Sequence, residues 1–130
     1  MSQTVTPFLM FDGRAEEAMS FYVSLLKNSS ITSIKRYGPG QAGAEGSVMQ
    51  ATFALDGQSF ICVDSPVKHD FSFTPAISLF LRCESETDID RLFSELSRGG
   101  QIFMPLDGYP FAKKFAWVAD RFGVSWQIIL

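Results

Sequence analysis

The residue types that most often perform chemistry are scarce in this chain and lie far apart. It contains one histidine, His69, and two cysteines, Cys62 and Cys83. The cysteines lie in separate apolar stretches without a Cys-x-x-Cys spacing, so we expect both to be small buried hydrophobes. His69 lies between Lys68 and Asp70, where a histidine is usually solvated. No Ser-His-Asp, Cys-His or paired-carboxylate arrangement follows, so the sequence predicts no catalytic residue and leaves open whether the protein is an enzyme.

Two glutamines are candidates for orienting a neutral ligand. Gln50 stands among apolar residues, where a buried amide needs a partner, and a solvated edge-strand residue is the alternative. Gln127 alternates with Trp126 in the last apolar stretch, so if Trp126 packs on a helix, Gln127 points to the opposite side of the sheet. Asp64 and Arg82, at strand ends, are further polar candidates, with simple solvation as their alternative.

Aromatic residues in the C-terminal half are candidates for the walls of a small-molecule site. Tyr109, Phe111 and Phe115, with Lys113 among them, predict an aromatic loop before a strand that carries Trp117. Such rings can cap a cleft and stack on a planar ligand. Packing at a dimer interface is the alternative for the same residues.

The elements that must position these residues occur twice along the chain. A strand, a helix and three strands open at Thr6-Pro7, and the same succession opens again at Thr74-Pro75. The last hairpin of each copy turns at a glycine, Gly57 or Gly123, which indicates one unit used twice. We therefore expect one domain over residues 1–130, with module one at about 1–64, a connector at 65–73 and module two at about 74–130.

Both predicted helices carry one apolar stripe, and the stripes require burial against a sheet. A capping box, Ser85-x-x-Asp88, opens the second helix and Gly99-Gly100 ends it. The predicted class is α+β, with two tandem βαβββ modules, helices on the outer face and a cleft on the other face. The stripes are Ala15, Ala18, Met19, Tyr22, Leu25 and Leu26 in the first helix, and Ile89, Leu92, Phe93 and Leu96 in the second.

Length and charge exclude several classes of protein. The 130 residues suit a single domain, and a net charge of −3 argues against nucleic-acid binding, which needs clustered Lys and Arg. Nowhere do 18 apolar residues run together and the N-terminus lacks a signal pattern, so we expect no membrane association and a cytoplasmic location.

Several segments in the right order carry a family resemblance over nearly the whole chain. They resemble the PhnB-like family, also labelled 3-demethylubiquinone-9 3-methyltransferase-like, of the glyoxalase/bleomycin-resistance/dioxygenase or vicinal oxygen chelate superfamily. The resemblance implies curved, mixed four-stranded sheets around a cleft and frequently a homodimer. The segments are 7–18, Phe21-Tyr22, 46–48, 73–80 and 120–127.

The resemblance also implies where a metal would bind. Enzymes of the superfamily usually hold a divalent ion with His, Glu or Gln from the first and last strand of each module. Four residues beyond the turn glycines lie Gln127 and Ile61, and the first-strand positions fall near Pro7 and Ser78. Ile and Pro cannot coordinate a cation, and Gln and Ser are weak neutral donors. We therefore expect no metal and no cofactor, and neither metal-dependent glyoxalase nor dioxygenase activity.

The methyltransferase label finds little support in the residues. Common S-adenosylmethionine enzymes use a Gly-rich turn between a strand and a helix, and the chain has no Gly-x-Gly-x-x-Gly. Its Gly-rich segment, 38–46, is predicted to join two strands instead. The label is retained only for an atypical cofactor site.

The leading hypothesis is metal-independent binding of a small apolar or aromatic molecule in the cleft. The alternative is an isomerase, lyase or transferase of the superfamily with an atypical metal or cofactor site. A third hypothesis has the cleft filled by the protein's own side chains and an assembly role. The expected partners are a small-molecule ligand and a second copy in a homodimer. The predicted ligand contacts are Gln50, Ile61, Ser78, Tyr109, Phe111, Trp117 and Gln127.

Overall fold

The computed structural model describes residues 3–130, and the chain separates into two compact units, Met1–Asp70 and Phe71–Leu130. Each unit contains one helix and one mixed four-stranded sheet. The predicted α+β class and the repeated βαβββ order are confirmed. The prediction of a single domain stays a prediction. Of the helices within residues 3–130, none has the length and apolar character that a membrane crossing requires.

The first unit folds around a sheet with one parallel pair of strands. Its elements are β1 (Phe8–Phe11), α1 (Ala15–Leu25), β2 (Ser30–Arg36), β3 (Val48–Leu55) and β4 (Gln58–Asp64). β1 lies parallel to β4, the other pairs are antiparallel, and the strand order is β1-β4-β3-β2. The predicted hairpin turn joins β3 to β4 at Asp56-Gly57, whose φ angles of 46° and 81° are left-handed.

The second unit repeats this topology. Its elements are β5 (Leu79–Arg82), α2 (Glu86–Ser97), β6 (Gln101–Tyr109), β7 (Ala112–Ala119) and β8 (Ser125–Ile129). β5 lies parallel to β8, the other pairs are antiparallel, and the strand order is β5-β8-β7-β6. The last two strands join through a turn that contains Gly123 with φ 91°.

Helix α1 buries the apolar stripe that the sequence predicts. It contacts β3 and β4, where the rings of Phe53 and Phe60 stack with centroids 5.2 Å apart and Tyr22 lies 6.5 Å from Phe53. Each large apolar side chain buried in this way contributes about 1.5–3 kcal/mol. Leu26 lies beyond the helix and is half-buried. The buried members of the stripe are Ala15, Ala18, Met19, Tyr22 and Leu25.

Helix α2 begins at the predicted cap. Ser85 Oγ accepts a hydrogen bond from the backbone N–H of Asp88 at 3.1 Å, and the Asp88 carboxylate accepts one from the N–H of Glu84 at 3.1 Å. Gly99, with φ 72°, follows its end. Phe93 is only half-buried, and the buried side chains are Ile89, Leu92 and Leu96.

The predicted match between the openings of the two modules is wrong in register. β5 begins at Leu79, and Pro75-Ala76 forms a turn before it, because the fixed φ of proline also suits a turn. Phe8 pairs with Ile61 in the first sheet and Phe80 pairs with Gln127 in the second. Phe80 is therefore the counterpart of Phe8, and the Thr-Pro dipeptides do not match in the structure.

The aromatic loop predicted before the strand of Trp117 is wrong in part, because Tyr109 ends β6 and Phe115 lies in β7. β6 continues through Pro105 to Tyr109, with register shifts against β7. A proline is tolerated there because β6 is an edge strand, which does not need a second ladder of backbone donors.

Candidate functional site

Three of the predicted ligand contacts meet on one face of the second sheet. Trp117 donates its indole N–H to Ser125 Oγ at 2.9 Å, and the Oγ atoms of Ser125 and Ser78 lie 2.7 Å apart. Gln127 donates an amide N–H to Ser78 Oγ at 3.3 Å. We call Ser78, Trp117, Ser125 and Gln127 the polar network. It connects β7, β8 and the residue just before β5 through side chains alone.

Strand register positions the polar network. Trp117 in β7 lies directly opposite Gln127 in β8. Trp126, between Ser125 and Gln127, is buried and donates its indole N–H to Asp120 at 2.9 Å. Because side chains alternate along a strand, Ser125 and Gln127 both point away from the Trp126 side of the sheet. Ser125 was missed as a site residue, and its alternation with Gln127 was the signal that could have identified it.

The predicted aromatic residues form two groups in the second unit. Tyr109, Phe111 and Phe115 pack on one another, with ring centroids 5.0–5.8 Å apart, and the Tyr109 hydroxyl donates to the carbonyl of Pro105 at 2.7 Å. Phe111 is largely exposed. The Trp117 ring packs on another side chain, Phe103, at 5.1 Å. Trp117 therefore joins the polar network to an aromatic wall.

Arg82 and Phe80 extend the network face along β5. Phe80 pairs with Gln127 in the parallel ladder, so its ring is expected on the Gln127 side. The Arg82 guanidinium carbon lies 5.6 Å from the centroid of that ring, within cation–π range. Phe80 was not among the predicted contacts, because the register of β5 could not be read from the sequence.

Gln50 and Ile61 lie in the first unit. Thr52 pairs with Ile61, so Gln50, two residues before Thr52, shares the Ile61 face of the sheet. Gln50 is exposed and pairs with Lys35 of β2, whereas Ile61 is half-buried beside Phe8. Gln50 is not an edge-strand residue, because β3 lies between β4 and β2.

Residues 3–129 match the family model described as 3-demethylubiquinone-9 3-methyltransferase. The chain belongs to this PhnB-like family. It is similar to the PhnB protein of Bacillus cereus, with 55% identity, a TM-score of 0.97, and coverage of 98% of this chain and 99% of that one.

Two further solved structures share the fold of the PhnB-like chain. Protein PA1353 from Pseudomonas aeruginosa is 27% identical, with a TM-score of 0.85 over 98% of this chain and 97% of that one. A glyoxylase/bleomycin resistance protein/dioxygenase domain from Frankia sp. is 17% identical, with a TM-score of 0.64 over 100% and 98%, and shares the fold. No curated protein matches the chain.

The divalent metal of the superfamily does not fit these residues. In the first unit the predicted positions are Pro7 and Ile61, and the strand ladder brings Phe8 beside Ile61. None of these three side chains offers a donor atom. In the second unit only Gln127 and Ser78 carry oxygen, and both are weak neutral ligands. Within residues 3–130, His, Cys, Asp and Glu side chains do not gather in a group of three that could hold a metal.

The methyl-donor cofactor that the family label implies does not fit either. The Gly-rich segment 38–46 joins β2 to β3 rather than a strand to a helix. Each sheet contains a single parallel pair, whereas the common S-adenosylmethionine site needs a doubly wound parallel sheet. At the start of α1, the backbone N–H groups of Gly13 and Ala15 both donate to Asp64.

Asp64 and Asp120 are buried carboxylates that hold the backbone, so Asp64 is not the ligand handle suggested by its strand-end position. Asp64 accepts from the N–H groups of Gly13, Ala15 and Val48, each at 2.9 Å. Asp120 accepts from two N–H groups of its own turn and from the Trp126 indole. All these donors are satisfied internally, which makes both carboxylates structural.

The thiols are poor nucleophiles at neutral pH, as the sequence indicates. Burial, together with the charge of Asp64, raises the pKa of Cys62 to about 12. Burial, together with the charge of Asp88, raises the pKa of the half-buried Cys83 to about 11. Both therefore carry a proton near pH 7 and lack thiolate reactivity. His69 contacts Ser65 Oγ at 3.0 Å through Nε2 in an exposed segment.

Proposed function

We propose that this PhnB-like protein binds a small apolar or aromatic molecule without a metal, on the polar-network face of the second sheet. One observation supports the proposal above all others. Residues predicted separately as ligand contacts, Ser78, Trp117 and Gln127, are joined by hydrogen bonds through the buried Ser125. A few fixed polar groups beside aromatic rings are the usual composition of a small-molecule site.

Each member of the site has a distinct role in the proposal. The Trp117 ring offers a planar surface for stacking, and the Gln127 amide offers one donor and one acceptor that orient the ligand. Ser125 holds Trp117 and Ser78 in place. The remaining proposed contacts are Gln50, Ile61, Tyr109 and Phe111.

A thermal-shift screen tests this proposal. Metals, quinones, aldehyde–thiol adducts and antibiotics are added to the full chain, since a ligand of the folded state raises the unfolding midpoint by mass action. We expect organic compounds to raise it and metals to leave it unchanged. Gln127→Leu should reduce the shift, while Gln58→Leu, a matched change at an exposed amide in β4, should preserve it. No shift with any of the four classes would contradict the proposal.

The rival function is an enzyme with an atypical metal or cofactor, which the family description favours. Metal analysis of the purified protein separates the two. One tightly held divalent ion per chain, with an activity that chelator removes, would overturn the metal-independent proposal.

We also propose a cytoplasmic homodimer. Both cysteines are free, which suits a reducing compartment, and the superfamily resemblance implies a dimer. Sedimentation equilibrium should give twice the chain mass of 14.5 kDa. A single species at the monomer mass would contradict the dimer.

A further inference from the structure

The polar network contains one more hydroxyl hydrogen than its own bonds use. Trp117 and Gln127 each donate an N–H to a serine oxygen, and the two serine oxygens share one hydrogen bond between them. Ser78 and Ser125 together carry two hydroxyl hydrogens, and only one can lie in that shared bond. Within residues 3–130 the two hydroxyls make no other side-chain hydrogen bond. The second hydrogen is therefore directed out of the network.

Burial decides which serine carries the outward hydrogen. Ser125 is only 2% exposed, so a hydrogen pointing away from the network there would lack an acceptor, at a cost in stability. Ser78 is half-buried. The arrangement of lower energy has Ser125 donating to Ser78, whose own O–H then projects beside the Gln127 amide.

The surroundings of the outward O–H indicate an uncharged acceptor. The polar network contains no charged side chain. The nearest cation along β5 is Arg82, whose guanidinium carbon lies 5.6 Å from the centroid of the Phe80 ring. A carboxylate bound at Ser78 would find only neutral donors in the polar network, whereas a carbonyl oxygen needs no charged partner. The aromatic rings of Trp117 and Phe103 lie beside the network, which favours a flat, conjugated molecule.

Resting on the proposed function, we propose that this face selects neutral, planar conjugated carbonyl compounds. The Ser78 O–H donates to the carbonyl oxygen, and the ring of the ligand lies against Trp117. A hydrocarbon of the same shape keeps the stacking contact and lacks the acceptor.

The test compares 1-indanone with indane, which differ by the carbonyl oxygen. Binding is followed by the NMR signal of the Trp117 indole N–H and of the Ser78 backbone N–H. We expect 1-indanone to bind about tenfold more tightly than indane, the equivalent of one hydrogen bond. Ser78→Ala should remove this preference, and Ser78→Thr, which keeps the hydroxyl, should retain it.

A matched control lies in the first sheet, where Thr32, Ser33 and Thr52 form an exposed hydroxyl cluster with oxygen contacts of 2.6 Å. Thr52→Val should leave both affinities unchanged. Equal affinity for the two probes, or a preference that survives Ser78→Ala in a folded variant, would overturn the inference and leave the proposed function standing. If neither probe binds and a compound of another class does, the inference is overturned and the proposed function stands. If no compound binds, the inference and the proposed function are both overturned.

Discussion

The two sheets have the same topology and opposite chemistry on the face away from their helices. In the first sheet Phe8 lies beside Ile61, and in the second Phe80 lies beside Gln127. The parallel strand pair and the turn glycine are common to both. On this face of the second sheet, hydrogen bonds among buried and half-buried polar side chains connect β7, β8 and the residue before β5. The fold therefore constrains the backbone positions and leaves the side chains on this face to differ.

The two units also differ in how a buried carboxylate is used. Asp64 joins segments far apart in sequence, with partners up to 51 residues away. Asp120 joins residues two, four and six positions away within one hairpin. Sheets of the same topology are thus stabilised by hydrogen bonds that are distant in sequence in one unit and local in the other.

The largest change in the free energy of unfolding is expected from removing the carboxylates of Asp64 and Asp120. Asp64→Ala should lower the free energy of unfolding by about 3 kcal/mol, since three backbone N–H groups, two of them buried, lose their acceptor. Urea denaturation measures this loss. Hydrogen exchange should show lost protection at Gly13, Ala15 and Val48, and an unchanged exchange rate at all three would contradict the assigned role.

Asp120→Ala is the matched change in the second unit. Its destabilisation should be of similar size, about 3 kcal/mol, but the exchange effect should be confined to Phe122, Val124 and the Trp126 indole. Loss of protection in α1 would show that the two carboxylates are not independent.

The next largest effect, on ligand binding, is expected from exchanging residues between the faces of the two sheets that point away from the helices. Gln127→Ile copies the first sheet into the second and should weaken organic-ligand binding about tenfold, with a stability change below about 1 kcal/mol. Ile61→Gln is the reverse exchange and should not add a binding site, because Thr52 lies opposite residue 61 where Trp117 lies opposite Gln127. Calorimetric titration with 1-indanone measures both, and tighter binding by Ile61→Gln would break the comparison.

Much of the fold could be predicted from the sequence because its signals are local. The helix stripes, the Ser85 cap and the Asp56-Gly57 turn depend on residues a few positions apart, and all three are confirmed. Register is not local. Pro75 suits a turn as well as a strand start, so the position of β5 depended on pairing with β8, which no short segment reports.

In the candidate site too, the local features could be predicted from the sequence and the non-local contacts could not. Alternation along β8 predicts that Gln127 and Trp126 point to opposite faces of the sheet. The same pattern places Ser125 on the Gln127 face. The contact between Ser125 and Ser78 joins residues 47 positions apart, which only the paired strands reveal. Asp64 was read as a strand-end polar group for the same reason, because its partners lie beyond any local window.

A smaller effect on the free energy of unfolding is expected from the titration of the two thiols. The pKa values of Cys62 and Cys83 are raised from 9.0 to about 12 and about 11 in the folded protein. Above pH 9 the unfolded chain loses these protons first, so the free energy of unfolding should decrease as pH rises toward the folded values. Urea titrations from pH 8 to 10.5 should show a shallower decrease in Cys62→Ala than in wild type. An unchanged slope in this variant and in Cys83→Ala would contradict the burial effect.

The smallest effect is expected from the exposed ion pairs that join helix to strand in each unit. Arg36 pairs with Glu16, which lowers the pKa of Glu16, and Lys114 pairs with Asp90 at 2.9 Å. Surface pairs of this kind add little to stability. Glu16→Gln should cause a small loss at pH 7 that disappears as pH falls and Glu16 becomes protonated in wild type. Urea midpoints at pH 7 and pH 3 test this, with Asp90→Asn as the matched variant. A loss as large as that of Asp64→Ala would be inconsistent with solvent screening.

The acceptor at the start of α1 has a consequence for the order of events during synthesis. Arg14 supplies no side-chain cap, and Asp64 fills that role from 49 to 51 residues further along the chain. As the protein leaves the ribosome, α1 emerges well before the group that completes its first turn. Helix α2 carries its own cap at Ser85 and needs no such wait. The N-terminal helix is thus expected to become fully ordered only when the last strand of its own unit has been made.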